Sequence, residues 1–243
     1  MEPKRLLLLL SFMAVTLAPV QLAAQKGGQI SGAWNKTSKN GLTEILLFAG
    51  NYFSMTSYSY EGEPFLLTMG GSFKWQGDQL VFTYEFHTGD STLVGTQESF
   101  KALLKKKNLE ITAPGMQASR WAPLDAGKST ALTAAWLFSG RKNDNGEITR
   151  RDTNVPRKTM KILTGSRFQW IAYNSETGQF FGTGGGTYTA ENGTYTEKIE
   201  FFSRDPKRVG AELKFDFRVE GKDWHHSGLN SSGQPLYEIW STR

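Results

Sequence analysis

Residues 80–87 alternate without a break, with Leu80, Phe82, Tyr84 and Phe86 on one side and Val81, Thr83, Glu85 and His87 on the other. A period of two sends successive side chains to opposite faces of an extended chain, so this run reads as a β-strand. Phe215, Phe217 and Val219 repeat the pattern against Lys214, Asp216, Arg218 and Glu220. Turn signals break the chain at short intervals: Ala49-Gly50, Gly77-Asp78, Thr88-Gly89-Asp90, Asn192-Gly193 and Gly221-Lys222. Beyond the N-terminal segment no stretch of helical length carries an apolar stripe of period 3.6.

The pattern occurs twice. At a constant offset of 115, residues 49–110 match residues 164–225 at 15 of 62 positions without a gap. Average composition gives roughly four by chance. The matches are mostly turn glycines and aromatics, among them Phe53/Phe168, Tyr58/Tyr173, Gly70/Gly185, Gly71/Gly186, Phe86/Phe201 and Phe100/Phe215. Small length changes extend the match to Trp34/Trp136 and Trp121/Trp240. Residues 131–136 therefore read as a strand, like their counterpart at 30–34, and the two units divide near 124–130.

Composition narrows the class. The chain has 243 residues, no cysteine and 38% hydrophobic residues, which excludes a disulfide framework, a thiolate nucleophile and a cysteine-ligated zinc. Glu2-Pro3-Lys4-Arg5 precedes an apolar run at 6–18 that is too short to span a bilayer and suits a signal peptide, with cleavage after Ala24. An exported protein, periplasmic or secreted, is expected, with no integral membrane segment after cleavage. The net charge is +5. Residues 25–127 hold 9 basic and 9 acidic side chains and residues 128–243 hold 17 and 13, so the excess lies in the second unit. Much of it falls in the polar stretch 141–161, which acidic residues dilute; it reads as a solvated loop and not as a nucleic-acid surface.

Gly32-Ala33-Trp34 at the start of unit one resembles the Gly-x-Trp opening of the lipocalin and calycin barrels. In that family an Arg or Lys near the last strand covers the tryptophan, and Arg120 and Arg243 stand at such positions. Unit two departs from the motif with Ala134-Ala135-Trp136, and the Thr-Asp-Tyr motif is missing. The chain resembles an exported bacterial lipocalin-like β-barrel protein in tandem duplication, a likeness that implies a fold and a compartment and no reaction. The expected fold is all-β: a signal peptide at 1–24, then two small antiparallel lipocalin-like β-barrels at 25–125 and 126–243.

An eight-stranded barrel is just wide enough to be filled by side chains or to hold one small ligand. In unit one the inferred inward positions Phe53, Met55, Leu67, Met69, Phe82, Leu109 and Ile111 are all apolar, which predicts a solid interior. Their counterparts are Phe168, Trp170, Gly182, Gly184, Glu197, Trp224 and His226. Glycines replace bulky aliphatics, and an ionisable pair and two tryptophans enter, which predicts a hollow interior with convergent polar groups. The candidate ligand-binding residues are Trp170, Tyr195, Glu197, Trp224 and His226, with the 140–158 loop over one mouth. The expected partner is a small amphipathic or aromatic molecule. A register slip would instead turn Glu197 and His226 outward, the glycines then marking bends.

Two other classes remain open: an extracytoplasmic enzyme using a Glu197/His226 acid–base pair, and an interaction module using Tyr58, Tyr60, Tyr173 and Trp75 as exposed aromatics. His225 and His226 are adjacent and point to opposite faces, so no metal site is expected, nor any cofactor. The oligomeric state is left open.

Overall fold

The computed structural model describes residues 30–243 except 38–40, 60–64, 144 and 231, so the expected signal peptide lies outside the described residues. The first unit contributes eight strands: β1 (Gly32–Thr37), β2 (Leu42–Ala49), β3 (Tyr52–Ser59), β4 (Phe65–Gln76), β5 (Gln79–His87), β6 (Gln97–Lys105), β7 (Asn108–Thr112) and β8 (Ser119–Pro123). Each pairs antiparallel with the next, and β8 returns to pair with β1, Pro123 opposite Trp34, which closes a barrel.

The second unit repeats it with β9 (Ala134–Lys142), β11 (Arg157–Leu163), β12 (Arg167–Asn174), β13 (Phe180–Glu191), β14 (Thr194–Phe202), β15 (Glu212–Glu220), β16 (Asp223–Leu229) and β17 (Pro235–Thr242). β17 closes on β9. One short extra strand, β10 (Ile148–Arg150), folds back on β9, so part of the stretch read as a loop is a hairpin. The molecule is thus two closed eight-stranded antiparallel barrels in tandem, with no free sheet edge at either closure.

Register confirms the repeat. Leu46 opposes Trp34 and Met55, and Lys161 opposes Trp136 and Trp170. Leu109 opposes Trp121 where Trp224 opposes Trp240. Both opening tryptophans donate their indole N–H to the carbonyl four residues earlier, Trp34 to Ile30 and Trp136 to Leu132, each at 2.8 Å. The matched glycines have a steric cause. A Cβ on Gly71 would lie 2.1 Å from the carbonyl oxygen of Thr83, and one on Gly186 would lie 2.0 Å from that of Lys198. Both sit at register shifts that bend the long strands β4 and β13.

The described residues form three apolar clusters. Two fill the lumens, and the third lies between the barrels. The outward faces of β2 and β11 supply Ile45, Leu47, Met160 and Ile162, and Tyr58, Phe86, Tyr173 and Phe201 join them. Each such buried aliphatic or aromatic side chain contributes about 1.5–3 kcal/mol relative to exposure, so this seam is a core in its own right.

Polar contacts across the seam come in matched pairs. Tyr58 donates to Glu200, which pairs with Arg167, and Tyr173 donates to Glu85, which pairs with Arg243. Arg243 therefore serves the seam and stacks 4.1 Å from the Tyr52 ring centroid, whereas the family resemblance placed it over a tryptophan. Gln169 donates to both Thr68 and Thr183, themselves a matched pair. Such reciprocity is the mark of an isologous contact, realised here within one chain. The connection is locked by Asp125, a buried carboxylate that accepts from the Ala33 amide of β1 and from Thr164 and Ser166 in the β11–β12 turn.

Candidate functional site

The second lumen holds an open cavity of about 380 Å³, within the usual range for small-ligand pockets. Its walls are mainly apolar and aromatic: Phe138, Trp170, Phe202, Phe215 and Trp240, with Ile199 and Leu213. Besides Arg151 and Arg208, four charged or ionisable groups line it from the barrel strands, namely Lys161 from β11, Glu197 from β14, His226 from β16 and Glu238 from β17. Their register counterparts in the first barrel are Leu46, Phe82, Ile111 and Ser119, so this polar set belongs to the second barrel alone.

Lys161 and Glu197 form an ion pair at 2.8 Å, each side chain 6% exposed. Two such charges persist away from water only when paired and hydrogen-bonded. Tyr195 also donates to Glu197 at 2.8 Å, and the Lys161 ammonium lies within 5.0–5.2 Å of the ring centroids of Tyr195, Trp224 and Trp240. Burial, then the neighbouring Glu197 charge, pushes the Tyr195 hydroxyl far above its ordinary range, so it stays a donor.

His226 is held by a different carboxylate. Its Nδ1 lies 3.3 Å from Glu238, which also accepts the Trp240 indole N–H at 3.0 Å. Burial would raise the Glu238 pKa, but the hydrogen bond and charge of His226, with Lys161 and Trp240, hold it below its usual value. Burial first, and the Lys161 charge second, lower that of His226. A neutral imidazole beside an ionised carboxylate carries its proton on Nδ1, which leaves Nε2 as an acceptor. That Nε2 is buried and has no hydrogen-bond partner among the described residues.

Of the five residues picked from sequence, Trp170, Glu197 and His226 line the cavity. Tyr195 and Trp224 do not; both are fully buried behind it, where the Tyr195 ring packs edge-on against Trp224. The expected Glu197/His226 pair is replaced by two pairs, Lys161–Glu197 and Glu238–His226. Sequence reasoning missed Lys161 and Glu238 because the comparison of inward positions ran only from Phe53 to Ile111, one residue past the ungapped block. Register arithmetic one strand further on each side would have found both.

Two volume expectations are corrected. Gly184 does not open space, since a Cβ there would meet Trp170 and Phe202 at 2.7 Å; nor does Gly182, where Arg204 fills the room. The larger neighbours take back what the glycines release. The first lumen is not solid either, and it holds a cavity of about 250 Å³. The exposed-aromatic surface also fails at the residues named for it: Tyr58, Tyr173 and Trp75 are buried, and Tyr60 lies outside the described residues.

Compared with known proteins, the chain matches no family model and no curated protein. Among the described residues no group of His, Asp and Glu is arranged to hold a metal ion, and no helix is long and apolar enough to cross a membrane.

Proposed function

We propose that the protein is an exported binding protein that holds a small amphipathic or aromatic ligand in the lumen of its second barrel. One observation carries the reading: His226, whose Nε2 is buried and unpartnered among the described residues, lines a cavity walled by aromatic rings. A buried polar atom left without a partner costs about 1–3 kcal/mol, which a ligand hydroxyl or N–H donated to Nε2 would recover. The ring of such a ligand would lie against Trp170, Phe215 and Trp240. Arg151, exposed and also lining the cavity, suits an anionic end. Export rests on the apolar run at 6–18.

The test is calorimetric titration of p-coumarate and of cinnamate, which lacks the phenolic hydroxyl, into the wild type and His226→Ala. The reading expects p-coumarate to bind at least tenfold tighter than cinnamate and to lose that advantage in the variant. Equal affinities in both proteins would sink it.

Glu238–His226 also supports a competing reading, because a carboxylate on Nδ1 readies Nε2 as a general base. Among the described cavity-lining residues only Thr159 offers a hydroxyl. Hydrolysis of a p-nitrophenyl ester that vanishes in His226→Ala would favour the enzyme.

A further inference from the structure

The cavity in the first barrel has a chemistry of its own. Met55, Met69, Phe82, Phe100 and Ile111 wall it, and the polar groups that reach it are Tyr84, His87, Glu98 and Ser119. Glu98 of β6 is half-buried, and the Tyr84 hydroxyl donates to one of its oxygens at 2.7 Å. His87 accepts the backbone N–H of Asp90 on Nδ1 at 2.8 Å, which sets the neutral tautomer with its proton on Nε2. Among the described residues no lysine or arginine lines this cavity, so Glu98 brings its one formal charge.

The repeat shows that the barrel does not require that charge. At the same three positions the second barrel carries Ile199 for Tyr84, Phe202 for His87 and Leu213 for Glu98, and its lumen closes normally. Each lumen thus bears a polar group where its twin is apolar. A half-buried carboxylate that a phenol hydrogen-bonds and, among the described residues, no cation pairs with favours a cationic partner.

We propose that the first barrel is a second binding site, selective for a small apolar ammonium ion whose charge rests on Glu98 and whose body lies between Met55, Met69 and Phe100. The volume corresponds to about eight water-sized groups at roughly 30 Å³ each, the scale of a phenylalkylamine. This site is independent of the His226 lumen and stands whether or not that lumen binds an aromatic acid.

The experiment titrates phenethylamine, with phenylacetate as the oppositely charged control, into the full-length protein carrying methyl-labelled methionine. The methyl signals of Met55 and Met69 report the cavity, while Met116, exposed, and Met160, in the seam, report elsewhere. The proposal expects saturable shifts at Met55 and Met69 with phenethylamine, none with phenylacetate, at least tenfold weaker binding in Glu98→Gln, and unchanged amine binding in His226→Ala. Should Glu98→Gln fold poorly, Tyr84→Ile with Glu98→Leu installs close to the second barrel's own side chains and should likewise lose the amine. Absence of saturable shifts in the wild type, equal shifts with phenylacetate, or full binding in a folded Glu98 variant would each overturn it.

Discussion

The phenolic hydroxyl of Tyr58 in the first barrel donates to the carboxylate of Glu200 in the second at 2.6 Å. Arg167 completes that contact and is itself largely buried, with 11% of its side chain exposed. Removing Glu200 therefore leaves a buried guanidinium without its counter-charge. Glu200→Ala is expected to cost about 3–5 kcal/mol, and Tyr58→Phe about 1–3 kcal/mol, in equilibrium urea unfolding. A loss below about 0.5 kcal/mol for Glu200→Ala would show that the seam does not depend on this pair.

Lys161 and Glu197 offer an internal control, because the first barrel holds Leu46 and Phe82 at the same places. Lys161→Leu alone leaves a buried carboxylate without its cation and should destabilise by about 3–5 kcal/mol. The double variant Lys161→Leu with Glu197→Phe should regain most of that loss, as buried pairs exchanged for apolar side chains commonly do. Denaturation midpoints of the two variants, compared with the wild type, check this; a double variant no more stable than the single one would contradict it.

Acid should weaken the fold in a definite window. His226 is held neutral by burial, with a pKa below its usual 6.5. The unfolded chain therefore takes up a proton near that value while the folded protein resists, so stability is full above it and drains away as pH falls. Burial also lowers His87 and His225, and the depressed carboxylate of Glu238 adds the same sign at lower pH. Stability followed by urea unfolding from about pH 7.5 down to about pH 5 should decline, less steeply in His226→Phe. An identical slope in that variant would mean His226 is not coupled to folding.

The β6–β7 hairpin carries local strain. Lys106 and Lys107 both adopt positive φ, 47° and 70°, whereas the matching turn of the second barrel has Gly221 at 61°. Lys106→Asn with Lys107→Gly supplies the residues that such two-residue turns favour, and should stabilise by on the order of 0.5–1 kcal/mol. Thermal denaturation would show it as a small upward shift; a downward shift would mean that the lysines serve the turn.

Strands, turns and duplication were legible because period-two runs and turn glycines are local signals that do not depend on what packs against them. The seam was harder to read. Residues 45–49 are apolar on both faces, as are Met160 and Ile162 beside Leu163, a pattern that marks strands covered on two sides. Identity at Tyr58/Tyr173 and Phe86/Phe201 marks a shared constraint without naming it, and here that constraint is the seam. In the cavity, Glu197 and His226 were visible as odd residues at aligned inward positions. Glu98 was not, since its neighbours in β6 alternate weakly, and the contrast that exposes it is Leu213 in the other copy.

A pair of identical chains meeting through this seam would have to carry the same side chain at every equivalent place. Leu46 could not stand on one side and Lys161 on the other, nor Glu98 opposite Leu213. Covalent joining through the chain between β8 and β9, which the Asp125 hydrogen bonds pin, removes that obligation. Reciprocal contacts across the seam keep both halves alike on the outside, and each interior is free to take on its own chemistry.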